Sequence, residues 1–331
     1  MGFDFTVYKG SHDGKVLKST THQDDLKGDQ VLVKVTHSGV CFTDVHYRQV
    51  DMVLGHEGTG IVAEIGPDVK DLKVGDLVGW GYEHDCCGRC KSCLSGWETM
   101  CPDRKIYGLA DFDQGSFASH AVWREAFLFK IPPNMSAEDA GPLMCAGSTI
   151  FNAFHVANVI STSRVGIIGV GGLGHLAIQF AAKMGCETVV FSGTESKKDD
   201  AINLGANEFY ATKGLTSLDI GKPLDHLIVT TSSQPDWHLY IGLMAPGGTI
   251  SPLSVDNRDL TIPYMPLLLN GLRIQGGIVS ARKLHRDMLD FAAFHGIKPI
   301  IMRFPFNVDG IESCLKTLTE GKMKYRGVLV A

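Results

Sequence analysis

The stretch Val165–Ala181, VGIIGVGGLGHLAIQFA, leaves this chain few ways to fold. An apolar Val/Ile run is followed by Gly169, Gly171 and Gly174, and then by apolar residues at helical spacing. A strand that turns at once into a helix needs this grammar. The first glycine allows the tight turn, the second lets the backbone approach a bound group, and the third lets helix and strand pack closely. Gly172 and Leu173 complete the turn, whose unpaired N–H groups and positive helix end would face an anion. The segment is therefore expected to hold the pyrophosphate of a dinucleotide.

The residues around it continue the pattern. ETVVFSG, LDHLIVTTSS, GGTISPLSV and LRIQGGIV read as strands and GHLAIQFAAKMG as a helix. Alternating strands and helices imply parallel βαβ units, so residues 146–282 are expected to form a Rossmann, doubly wound parallel sheet. About twenty residues past the glycines an NAD site offers an acidic residue to the ribose. Here the chain reads FSGTESKK, Phe191–Lys198. Ser192, Gly193 and Thr194 leave room at that place, and Lys197 and Lys198 bring positive charge for a 2′-phosphate. NADP(H) is expected in preference to NAD(H), with Glu195 as the competing feature should it fold back onto the ribose.

Before residue 146 the pattern differs. Residues 28–80 carry short Val/Ile runs bounded by Gly, Pro and Asp, and residues 115–132 look similar, which suggests a small, loop-rich barrel. SAEDAGPLMCAGSTIFNAFHVA then turns helical, with Ser136 placed to cap it. At 331 residues the chain is longer than one core usually serves, so two domains are expected. Its formal net charge of −5, with no basic run, argues against a nucleic-acid partner. The opening MGFDFTVYKG lacks a signal peptide's apolar core, and the longest apolar run is broken by glycines and His175. No membrane association and a cytoplasmic location are expected.

Nine cysteines, five of them in CCGRCKSCLSGWETMC, point to metal rather than disulfides in such a compartment. Cys87, Cys90 and Cys93 at two-residue gaps, followed by Cys101, suit a closed zinc site or an iron–sulfur run. Farther apart, Cys41, His56 and Cys145 would make a Cys₂His set, which suits zinc with one position left for water or substrate.

Taken in order, GVCFTDVH, GHEGTGIVAEIG, VGDLVGWGYEHDCCGRCKSCLSGWETMC, PLMCAGST and GVGGLGH resemble the zinc-dependent medium-chain alcohol dehydrogenases. Within them the nearest branch is the cinnamyl-alcohol-dehydrogenase (CAD)-like aldehyde reductases, and the likeness runs from about Val31 to the C-terminus. The resemblance implies two zinc ions per chain. Cys41, His56 and Cys145 would hold the catalytic one, with Glu57 as a neighbouring carboxylate able to join them. Cys87, Cys90, Cys93 and Cys101 would hold the structural one in a lobe at 86–101, leaving Cys86 spare. Asp44 would orient His56, Thr43 would donate its hydroxyl to the substrate oxygen, and His46 would carry the proton on towards solvent. Thr149 and Gly277 would touch the nicotinamide, and Arg326 would lie near the pyrophosphate.

The implied architecture is α/β: a GroES-like β-barrel catalytic domain (1–145 and 283–331) plus the Rossmann domain (146–282), with catalysis in the cleft between them. The implied reaction is hydride transfer between NADP(H) and an alcohol/aldehyde pair, chiefly reduction of a small-molecule aldehyde to a primary alcohol, in a homodimer or homotetramer. A polyol dehydrogenase and an NADPH reductase of activated double bonds share this fold, and a non-enzymatic zinc or iron–sulfur module is a further reading of the cysteines. Only Tyr47–Gly55 separates His46 from His56, fewer residues than the family pattern leads one to expect. Either the cleft is opened to bulky aldehydes or a surface loop is trimmed. Trp80, Tyr82, Leu253 and Ile278 are candidate substrate walls. LTIPYMPLLLNGLRIQG reads as an apolar strand region at a sheet edge, able to pair with a second copy.

Overall fold

Val31, Val33 and Val35 recur at every second position, and the strand Gln30–Val40 turns these valines into one core with Val62, Val78, Trp80 and Trp123. The computed structural model describes residues 2–331. The chain divides into two compact units, one formed by residues up to Ser148 together with Val279–Ala331, the other by Thr149–Ile278.

In the first unit, the seven-stranded sheet runs in the order Ile301–Pro305, Arg326–Val330, Gln30–Val40, Gly58–Ile65, Leu77–Trp80, Phe129–Lys130, with His120–Arg124 also paired to Gln30–Val40. All its pairings are antiparallel except that of Ile301–Pro305 with Arg326–Val330. The long strand Gln30–Val40 shares its first half with His120–Arg124 and its last residues with Arg326–Val330, and register shifts near Val33 and Val35 bend it between them. A two-stranded hairpin of Glu83–Asp85 and Lys105–Ile106 brackets the cysteine-rich lobe. Ser136 caps the helix Ala137–Pro142 by accepting from the Asp139 N–H.

The second unit holds a six-stranded, all-parallel sheet, ordered Glu208–Ala211, Glu187–Ser192, Arg164–Ile168, Leu224–Val229, Met244–Pro252, Arg273–Ile274. Arg164–Ile168 is buried at every residue, as a strand covered on both faces must be. It is also the point from which strand order runs both ways, and such a switch point opens a crevice at the carboxyl ends of the strands.

One local expectation fails. Tyr264–Leu269 is a helix, not a strand, and only Arg273–Ile274 pairs at the sheet edge. Pro263 at its cap and Pro266 in its first turn explain this, because proline lacks the N–H a ladder needs but is tolerated where a helix begins. The short Tyr47–Gly55 segment reaches the surface at Gln49, Val50 and Asp51 and then turns inward. Val53 and Leu54 are fully buried, and the segment is stitched down by Gly10 N to Met52 O (3.0 Å), Leu54 N to Tyr8 O (3.0 Å) and Phe117 N to Leu54 O (2.8 Å).

Candidate metal and dinucleotide sites

Cys41 leaves the strand Gln30–Val40 and caps the short helix Phe42–Tyr47. Its sulfur accepts from Thr43 N (3.3 Å), while its own N–H donates to Asp44 Oδ2 (2.9 Å). Gly55, at φ 88°, turns the chain so that His56 faces this cap, and a Cβ there would stand 2.3 Å from the Phe117 ring. His56 Nε2 lies 3.2 Å from Cys41 Sγ and Nδ1 lies 3.1 Å from Asp44 Oδ1. Asp44 can only accept when ionised, so Nδ1 carries a proton and Nε2 is the nitrogen turned towards the sulfur. Against the effect of burial, Cys41 and Asp44 hold the imidazole well above its ordinary value, and Nε2 must give up its own proton to ligate. Cys145 arrives from a widened helical turn, Leu143–Gly147, of the i→i+5 kind often found at functional sites. The ligand atoms of Cys41, His56, Glu57 and Cys145 all lie within 4.8 Å of one another.

The charges of this group fit a divalent cation. A hydrogen bond from Cys145, reinforced by the charge of His56, holds Cys41 well below the ordinary thiol value, towards the ligating thiolate. Burial pushes the Glu57 carboxyl up to about 7, against the pull of Arg326. Glu57 is paired with the Arg326 guanidinium by one oxygen, and its other oxygen, Oε2, is buried with no hydrogen-bond partner. The hydrogen bond with Cys41, together with burial, holds the Cys145 thiol well above its ordinary value, so Cys145 must release its proton to ligate. Two thiolates and an ionised Glu57 against one guanidinium would then leave two negative charges for such an ion to cancel. Arg326, expected near a pyrophosphate, is only 4% exposed and pairs with Glu57. The sequence offered no signal for this, because the partners are separated by 269 positions.

Thr43 is half-buried and His46 exposed, three residues apart on one helix face. Tyr82 stands edge-on to His56, with ring centroids 5.5 Å apart. Trp80, by contrast, is 1% exposed and belongs to the core, not to a wall. Leu253 and Ile278 are half-buried in the second unit. Tyr107, which no sequence pattern singled out, donates to Asp44 Oδ1 (3.1 Å) and packs its ring on His56 at 4.6 Å.

Cys87, Cys90, Cys93 and Cys101 form a second cluster, with Sγ separations of 3.9 Å (87–93), 3.5 Å (90–93) and 3.5 Å (87–101). Four thiolates about 2.3 Å from one tetrahedral ion would stand roughly 3.8 Å apart. This spacing encloses a single ion and is too tight for a cubane iron–sulfur cluster. The N–H groups of Cys90 and Cys93 point at the sulfurs of Cys87 (3.4 Å) and Cys90 (3.5 Å). Cys86 lies outside the four, its sulfur 3.8 Å from Arg282 Nη2 and 3.9 Å from Glu98 Oε2.

In the second unit the three glycines divide the work. Gly169 has φ 98°, a Cβ on Gly171 would meet nothing within 4 Å, and one on Gly174 would strike Gly169 O at 1.9 Å. Turn, open approach and close helix packing are each assigned to one residue. Gly172 and Leu173 lie within the turn, ahead of the helix Gly174–Lys183. Ser192 ends the neighbouring strand and leads into Gly193 and Thr194, so their loop opens at the same sheet end. Glu195 is exposed and pairs with Lys198 at 3.6 Å, while Lys197 is half-buried. Gly277 faces Asn152, one helical turn on from Thr149.

A thiolate–imidazole metal cradle on one unit and a dinucleotide turn on the other define a metal-dependent dehydrogenase class. Residues 27–133 match the alcohol dehydrogenase GroES-like domain and residues 172–293 the zinc-binding dehydrogenase family. A probable formaldehyde dehydrogenase of Bacillus subtilis is 33% identical over 329 residues, 95% of this chain and 94% of its own. An aldehyde reductase of Synechocystis is 32% identical over 312 residues, 92% of each chain. A CAD from Helicobacter pylori, solved as a complex with NADP(H), has a TM-score of 0.89 at 26% identity, covering 100% of this chain and 99% of its own. The chain belongs to the zinc-binding medium-chain alcohol dehydrogenase family, in its cinnamyl-alcohol-dehydrogenase-like group.

Proposed function

We propose that the protein is a cytosolic, NADP(H)-dependent zinc enzyme that interconverts an aldehyde and its primary alcohol, working chiefly as an aldehyde reductase. The observation that carries this reading is the convergence of Cys41, His56 and Cys145 with Asp44 behind the imidazole. When bound, a zinc ion supplies a Lewis acid for the carbonyl oxygen, and the reduced dinucleotide supplies the hydride. The chain's own residues do the rest. Cys41, His56 and Cys145 hold the metal, and Asp44 fixes the His56 tautomer so that Nε2 is the nitrogen that ligates. Cys145 is only half-buried, which leaves an approach for substrate. Thr43 gives its hydroxyl proton to the oxygen of the reduced carbonyl and recovers one through His46 at the exposed end of the same helix. Glu57, steadied by Arg326, keeps one oxygen available to the metal when no substrate is present.

Cys87, Cys90, Cys93 and Cys101 hold the second zinc ion, which stabilises the lobe and takes no part in the chemistry. Gly169, Gly171, Gly172, Leu173 and Gly174 receive the pyrophosphate, and Thr149 and Gly277 meet the nicotinamide. Ser192, Gly193, Thr194 and Lys197 favour the 2′-phosphate, a choice supported by the engagement of Glu195 with Lys198 and by the NADP(H) complex of the Helicobacter pylori CAD. The aldehyde-reductase direction is supported by the Synechocystis relative.

The deciding experiment follows NADPH oxidation against a panel of aldehydes, with and without a zinc chelator, together with product analysis. Turnover of aldehydes to primary alcohols, lost on chelation, is expected, with kcat/KM for NADPH above that for NADH. No turnover of any carbonyl, or products reduced at C=C, would overturn the reading; faster turnover with NADH would overturn its cofactor part.

A further inference from the structure

Asp44 is the hub behind the catalytic metal ligands, and its oxygens are unequally loaded. Oδ2 receives the Cys41 N–H at 2.9 Å. Oδ1 faces three donors: His56 Nδ1 at 3.1 Å, the Tyr107 hydroxyl at 3.1 Å and Gly55 N at 3.2 Å. Gly55 N also donates to the Tyr107 oxygen, at the shorter distance of 3.0 Å. The phenol therefore accepts from the peptide just ahead of His56 and donates to the carboxylate that holds His56. Only a hydroxyl performs both tasks.

The ring adds a second restraint. It lies 4.6 Å from the His56 ring at a tilt of 31°, and Tyr47 stands edge-on to it at 5.3 Å and 82°. Gly108 makes that contact possible, since at φ 84° its absent Cβ would fall 2.1 Å from the Tyr47 ring. Backbone pairing sets the position of Tyr107, which directly follows the strand Lys105–Ile106 and bonds through its N–H to Tyr82 O at 2.9 Å. Tyr107 is itself 4% exposed, so no water competes for these bonds.

We propose that Tyr107 is a positioning residue for the catalytic metal centre: its hydroxyl joins the Gly55 backbone to Asp44, and its ring backs His56, so that Nε2 is aimed before a metal arrives. The inference rests on the metal-dependent reading above. Groups hydrogen-bonded directly to a metal-ligating histidine typically change metal affinity about 10- to 100-fold when lost, and the Tyr107 hydroxyl acts one bond further out, through Asp44.

The test compares the full-length wild type with Tyr107→Phe and with Tyr240→Phe. The latter removes another buried hydroxyl, one that bonds Thr212 at 3.0 Å in the second unit. Each protein is loaded with Co²⁺, and its affinity is read by competition with a chromophoric chelator. The thiolate–cobalt and d–d absorption is recorded after subtracting the signal that remains in Cys41→Ser. Tyr107→Phe is expected to bind Co²⁺ at this site more weakly by up to about tenfold, with shifted d–d bands and a lower kcat at unchanged KM for NADPH. Tyr240→Phe should lose thermal stability but keep affinity and spectrum. Wild-type affinity and bands in Tyr107→Phe would overturn the inference alone, as would an equal loss in Tyr240→Phe. A wild type with no Co²⁺ signal beyond that of Cys41→Ser would overturn both this inference and the metal-dependent reading.

Discussion

Arg326 and Glu57 face each other almost without water, at 4% and no side-chain exposure. Such a pair returns little net stability, because desolvation offsets attraction, yet removing one member strands the other. Arg326→Met is therefore expected to cost about 3–5 kcal/mol in chemical denaturation. The double variant Glu57→Gln/Arg326→Met should recover part of the loss, and a double no more stable than the single would show that the pair is not the cause. This pair also marks what single residues in a sequence reveal. Gly169, Gly171 and Gly174 were legible because each role is fixed by neighbours a few positions away, and the gaps around Cys87, Cys90 and Cys93 were legible for the same reason. Arg326 and Tyr107 gave no such sign: their roles depend on partners that only the fold brings close.

At the scale of elements, the strand Glu83–Asp85, the turn Glu98–Met100 and the helix Arg282–His295 meet over one acidic group. Arg282 donates to both oxygens of Glu98, at 3.0 and 2.7 Å, which leaves Glu83 with one buried oxygen and no partner for it. Burial, aided by the charge of Glu98, pushes the Glu83 carboxyl from 4.5 up to about 8. The folded protein then binds more protons than the unfolded chain between those two values, so this group's contribution to stability falls as pH rises through that window and levels off above it. Glu83→Gln carries no such penalty. Its melting temperature should match the wild type near pH 4.5 and exceed it by a growing margin up to pH 8, and a margin that did not change with pH would refute the assignment. Elements were legible where period and punctuation agreed, as at the Ser136 cap and the buried run Arg164–Ile168. They were not at Tyr264–Leu269, where apolar character concealed that two prolines favour a helix start over a ladder.

For the whole molecule, the second unit presents Tyr264, Met265, Leu268 and Leu269 on one short helix, each more than half exposed, next to the edge strand Arg273–Ile274. Soluble monomers rarely leave so concentrated an apolar surface beside an unpaired strand edge. A second copy of the chain related by a two-fold axis would place edge against edge and helix against helix, each covering the same surface on its partner. Self-association of this kind would use a mixed helix-and-edge surface in place of the continuous strand that the sequence suggested. Leu269, 74% exposed, can be changed with little effect on the fold of one chain. Leu269→Glu is therefore expected to convert a dimer into a monomer in light scattering while leaving the thermal unfolding of the first unit intact, because a buried carboxylate at the seam would be unpaired in both copies. A monomeric wild type, or a variant that remains dimeric at micromolar concentration, would remove this surface from the assembly and leave its apolar side chains without a role.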